Sequence, residues 1–128
     1  MKAEVATAIE ELRRQFVSSA FTVREDEQGG AYVVMDPVSI GAQFVPTATW
    51  MGFHIPAQYP YADIYPVFLS GDVRRANGIA FQPPVTSGHN FENRGAIQIS
   101  RRSAAAQTGT QRAVAKLLKV LDFLEKLP

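Results

Sequence analysis

The placement of proline constrains this chain more than any other feature. Pro56, Pro60, Pro66, Pro83 and Pro84 are strung along its middle. Proline lacks a backbone donor and biases its predecessor towards extended geometry, so this stretch is expected to be extended or looped. Helical periodicity is found on either side of it. From Ala3 to about Ser18, Val5, Ile9, Leu12 and Phe16 recur at steps of four, three and four, with Glu10, Glu11, Arg13 and Arg14 on the opposite side. From Thr110 or Gln111 to Leu127, Val114, Leu117, Leu118, Leu121 and Leu124 restore that spacing, with Thr110 the expected N-cap and Pro128 the stop.

Between the first helix and Ile55 the pattern is β-rich. The runs Phe21 to Val23, Ala31 to Met35, Val38 to Val45 and Thr47 to Ile55 are punctuated by Gly29-Gly30 and Asp36-Pro37 and read as four antiparallel strands. Beyond Ile55 only Tyr65 to Leu69 and Ala96 to Ser100 look strand-like. The order predicts one α+β domain over residues 1–128: an N-terminal helix, a four-stranded meander, a long proline-rich loop, and a C-terminal helix packed on the sheet.

Composition removes several function classes. The chain contains no cysteine, which excludes thiolate nucleophiles, iron–sulfur clusters and cysteine zinc sites. Its histidines are His54 and His89, with no carboxylate cluster beside them in sequence, so neither a metal nor a cofactor is expected. A net charge of +1, from 13 Lys and Arg against 12 Asp and Glu, argues against a dedicated nucleic-acid binder. No apolar run approaches the ~18 residues of a membrane helix. The opening Met1-Lys2-Ala3-Glu4 is unlike a signal peptide, so a cytoplasmic location with no membrane partner is expected.

Two segments stand out as carriers of chemistry. Ile55-Pro56-Ala57-Gln58-Tyr59-Pro60-Tyr61, followed by Tyr65-Pro66, leaves a strand holding Trp50 and Phe53. It reads either as a stiff cover over the core edge with wet hydroxyls or as an aromatic platform for a ligand. Gly88-His89-Asn90-Phe91-Glu92-Asn93-Arg94-Gly95 feeds the apolar run Ala96 to Ser100. It reads either as a surface turn satisfying its own backbone or as a loop presenting amide donors to an oxyanion.

Taken together, the two segments resemble the ubiquitin-conjugating enzyme superfamily. Ile55 to Tyr61 reproduces that family's strand-end phrase Φ-P-x-x-Y-P-Φ, with Pro66 as the nearby second proline. Asn90 stands five residues before Gly95 and eight before Gln98, so Gly95-Ala96-Ile97-Gln98-Ile99 keeps the family's Gly-x-Ile-Cys-Leu phrase with glutamine in the nucleophile's place. The similarity spans almost the whole chain and is greatest to compact bacterial members. It departs where Gly88-His89-Asn90 replaces His-Pro-Asn, and the family's later C-terminal helices have no counterpart.

The resemblance implies a ubiquitin-like conjugation pathway, encoded in a bacterial operon and serving in antiphage defence. The implied partners are an adenylating activating enzyme and a ubiquitin-like protein. That enzyme would dock on Glu10, Arg13 and Arg14 of the first helix and near Tyr59, Tyr61 and Tyr65. Gln98 cannot carry a thioester, which leaves two readings. In one, a serine holds the modifier's C-terminus as an oxyester: Ser100, on the same side of the strand as Gln98, or Ser103, with His89 as base and Asn90 at the oxyanion. In the other, the chain is a catalytically inactive scaffold that binds the ubiquitin-like protein or a partner enzyme.

Overall fold

The computed structural model describes residues 1–102 and 112–128. The first apolar stripe forms helix α1 (Ala3–Gln15), burying Val5, Ala8, Ile9 and Leu12. The helix stops short of Ser18. Phe16 leaves helical geometry at φ −110° and ψ 61°, while its N–H still bonds the Leu12 carbonyl and its side chain packs against the core.

The strands that follow are β1 (Ala20–Glu25), β2 (Ala31–Ser39), β3 (Phe44–Val45), β4 (Ala48–Ile55), β5 (Val67–Ser70), β6 (Arg74–Arg75), β7 (Val85–Phe91) and β8 (Arg94–Ile99). Six of them form one antiparallel sheet in the order β1-β2-β4-β5-β8-β7, and β3 pairs with β6 apart from it. The α+β class is therefore as expected, but the meander is longer than four strands. Val38 to Val45 is not a strand of its own. Pro37 cannot donate to the ladder, so the pairing of β2 with β4 slips between Met35 and Val38 and resumes as Val38↔Thr49 and Ser39↔Ala48. Val38 and Ser39 thus close β2, and only Phe44 and Val45 of the remaining run are extended.

The proline-rich stretch also holds more strand than its composition predicts. Pro66 and Pro84 stand immediately before β5 and β7, where a missing donor costs the ladder nothing. Between those strands the chain makes a packed excursion: Val73 is buried, and Phe81 stacks on the buried Phe44 with centroids 6.2 Å apart.

Helix α2 (Ala113–Glu125) buries Ala113, Lys116, Leu117, Val120 and Leu124. Its expected start at Thr110 or Gln111 lies outside the described residues. Arg112 occupies the N-cap without a side-chain cap bond, and the Tyr59 hydroxyl accepts the Ala113 N–H at 3.0 Å instead. Both helices cover one face of the sheet, making one core with Val33, Met35, Met51, Phe53, Leu69, Ile97 and Ile99. The other face carries a smaller apolar cluster of Val34, Phe91 and Ala96 with Tyr32, Trp50 and Phe68 against it. Gly52 makes room for it, since a Cβ there would sit 2.6 Å from the Phe91 ring.

Candidate functional site

The segment expected to be an active-site loop is a β-hairpin. Strands β7 and β8 pair through His89↔Ala96, Asn90↔Gly95 and Phe91↔Arg94, leaving Glu92 and Asn93 as a two-residue turn. Both turn residues have positive φ, 47° and 64°, the backbone a tight hairpin requires. Arg24 on β1 grips the Glu92 carboxylate in two-pronged fashion, at 2.8 and 2.9 Å, and so ties the turn to the far edge strand. That guanidinium holds the Glu92 carboxyl below the ordinary range, Arg94 adding to the effect, and Glu92 in return raises Arg24.

Pairing fixes which way each candidate side chain faces. Paired residues share a face, and alternate residues along a strand share it too. Ala96 and Phe91 belong to the cluster on the helix-free side, so Gln98, His89 and Thr86, which pairs with Gln98, lie on that side as well. Asn90 and Gly95 are turned the other way, with Ile97 and Ile99, and Asn90 is exposed. The register slips between Thr86 and His89 around Gly88, whose φ is 81°. This bulge brings Thr86 and His89 onto one face, with Oγ1 and Nε2 2.8 Å apart.

Ser100 continues the line of Gln98, and its hydroxyl accepts a bond from Gln98 Nε2 at 2.6 Å. Both side chains are half-buried. His89 stands opposite Ala96, four residues back from Ser100 and so roughly 13 Å of strand away. The hydroxyl hydrogen-bonded to His89 is that of Thr86. Ser103 lies outside the described residues.

The proline-tyrosine segment divides its roles. Tyr59 is buried and spends its hydroxyl on α2, whereas Tyr61 is 74% exposed. Tyr65 lies under the Arg102 guanidinium, 4.2 Å from its ring centroid. Glu10, Arg13 and Arg14 are exposed on α1, with Glu10 and Arg13 3.8 Å apart and Arg13 stacked over Phe21. A groove of about 330 Å³ runs between α1 and Tyr59-Pro60, with Thr7 on its wall and the Glu11–Arg112 ion pair at its rim. Of the residues expected to form a docking surface, Tyr59 and Tyr61 line a groove with Lys2 and Glu4 at the start of α1.

Three polar arrangements were not foreseen from sequence. Thr86 gave no motif, because its approach to His89 depends on the bulge. Asp26 takes the N–H groups of Gln28 and Gly30, each at 2.8 Å, and meets His54 Nε2 at 2.6 Å. The bond from His54, then those backbone N–H groups, holds the Asp26 carboxyl below its ordinary value. Asp26 four residues before Gly30 was the available signal, an Asx-type turn. Lys116, on the buried stripe of α2, places its ammonium 3.1 Å from Asp63 and donates to the Arg101 carbonyl.

No protein-family model, curated protein or solved structure matches this chain. Among the described residues no group of three or more His, Asp or Glu could hold a metal ion, and no helix is long and apolar enough to cross a membrane.

Proposed function

We propose that this chain is a cysteine-less, conjugating-enzyme-like binding module, which engages a ubiquitin-like protein and its activating enzyme without itself becoming acylated. The observation that carries this reading is the opposition of Asn90 and Ser100. A transfer site needs nucleophile, base and oxyanion donor around one reacting carbon. Here Asn90 faces away from Ser100, His89 is hydrogen-bonded to Thr86, and the Ser100 hydroxyl is engaged by Gln98. The activating enzyme's surface is the exposed side of α1 with Tyr61. This assignment, like the likeness to the ubiquitin-conjugating fold, rests on the sequence phrases around Tyr59 and Gln98.

The test is a titration of the ¹⁵N-labelled protein with the activating enzyme, and separately with the ubiquitin-like protein, encoded in the same operon. The reading expects saturable shifts, with the enzyme's localised to α1 and Tyr61 and weakened by Arg14→Glu or Tyr61→Ala. Absence of binding to both proteins contradicts it.

A second reading rests on the Thr86–His89 contact alone. A hydroxyl 2.8 Å from an imidazole is the geometry of a nucleophile and its base. In this reading the Thr86 oxygen attacks the modifier's adenylated C-terminus, His89 takes the hydroxyl proton, and the acyl–phosphate bond breaks to release AMP and leave an oxyester on Thr86. Asn90 faces away from Thr86 as well, so the oxyanion would have to find other donors.

A further inference from the structure

A groove of about 510 Å³ lies where the chain leaves β8 and passes along α2. Its cations are Arg101, Arg102, Lys116, Lys119 and Lys126, its carboxylate is Asp122, and Val120 and Phe123 complete the lining. Lys126 is paired with Asp122 at 3.0 Å. Among the described residues, no carboxylate lies within ion-pair distance of Arg101, Arg102 or Lys119. The whole chain carries a net charge of only +1, so three unbalanced cations on one concave surface are a local concentration that the composition does not demand.

The two arginines are also held in place. Lys116, itself 5% exposed, donates to the Arg101 carbonyl and pairs with Asp63, which anchors the backbone at the groove's edge. The Arg101 guanidinium lies over Phe123, 4.7 Å from the ring centroid, and that of Arg102 over Tyr65 at 4.2 Å. A guanidinium stacked on a ring keeps its N–H groups free at the edge of its plane, the geometry that receives two oxygens of one anion.

We infer that this groove binds a phosphate monoester. A dianion matches two guanidiniums and an ammonium better than a single carboxylate does, and its tetrahedral oxygens accept two-pronged bonds from both arginines. Phe123 receives the organic part of the ester. Three cations suit one phosphate group and not the repeated phosphates of a nucleic acid.

The experiment titrates the ¹⁵N-labelled full chain with phenyl phosphate, inorganic phosphate, a glutamate-rich peptide without phosphate, and sodium chloride at matched ionic strength. Saturable shifts at Arg101, Arg102, Lys119 and Val120 with phenyl phosphate support the site. Saturation by inorganic phosphate at equal affinity also supports it and identifies free phosphate as an adequate ligand; weaker binding assigns part of the affinity to the Phe123 wall. Arg102→Gln and Lys119→Gln are each expected to weaken binding about tenfold or more, with Arg102→Lys in between and the rest of the spectrum unchanged. Shifts reproduced by sodium chloride overturn the inference. Equal or tighter binding of the glutamate-rich peptide overturns it in favour of an acidic protein segment.

Discussion

At the scale of single residues, the parity of a strand decided more than the identity of its side chains. The spacing from Asn90 to Gln98 is visible in the sequence, but which face each presents depends on where the hairpin turns, which pairs Asn90 with Gly95 and so sets it opposite to Gln98 and Ser100. Shifting a strand by one residue exchanges its faces, so the register set by this one turn separates Asn90 from the hydroxyl it was expected to serve. The Asp26–His54 contact has a measurable consequence. Asp26 titrates below its ordinary value of 3.8 when folded, so its contribution to stability is present above that value and lost as pH falls through the lower, folded one. Asp26→Asn is therefore expected to lower the Tm at pH 7 and to converge with the native chain in acid, as followed by thermal melts against pH; a gap that persists unchanged at low pH excludes this origin. Packing makes a second demand at Gly52. An added methyl would meet the Phe91 ring at 2.6 Å, so Gly52→Ala should cost ~1–3 kcal/mol in denaturant unfolding. Phe91→Leu in the same chain should recover part of that loss.

At the scale of elements, both helices were legible because a long apolar stripe at helical spacing has few other interpretations. Helix α1 and most of α2 follow from Val5, Ile9 and Leu12 and from Leu117 and Leu124. The strands were less legible, for two reasons that can be traced. Pro37 looks like punctuation but sits inside β2 as an irregularity. Strand β7 reads Val-Thr-Ser-Gly-His-Asn-Phe, too polar to suggest a strand, because it is an edge strand whose central residues face solvent. Tyr59 joins two elements, since its hydroxyl accepts the Ala113 N–H where no side-chain cap stands. Tyr59→Phe is expected to cost ~1 kcal/mol and to speed exchange of the Ala113 amide, which hydrogen exchange would read residue by residue. Lys116 joins α2 to the exit of β8 through a buried ion pair, and removal of one member of such a pair is costly. Lys116→Ala should destabilise the chain by ~3 kcal/mol or more, with loosening of Arg101 and Arg102 as its local sign.

At the scale of the whole molecule, the sheet has two unlike faces. One is sealed by α1 and α2; the other is open, carrying the Tyr32, Trp50, Phe68 and Phe91 cluster and, beside it, Thr86, His89, Gln98 and Ser100. The α+β class was legible from the order of periodicities. The six-strand width was legible only in part: the strand-like runs Tyr65 to Leu69 and Ala96 to Ser100 anticipate β5 and β8, whereas β7 reads as loop. Polar groups that resemble a transfer site in sequence are divided between the two faces, and the account therefore predicts binding without acyl transfer. Intact-mass spectrometry tests this most directly, on the native chain mixed with the proposed activating enzyme, the proposed ubiquitin-like protein and ATP, beside Thr86→Ala and Ser100→Ala. The account predicts an unchanged mass for all three chains under conditions where binding is demonstrable. A thiol-resistant, hydroxylamine-labile adduct that disappears with Thr86→Ala or Ser100→Ala would contradict it and make that hydroxyl the carrier.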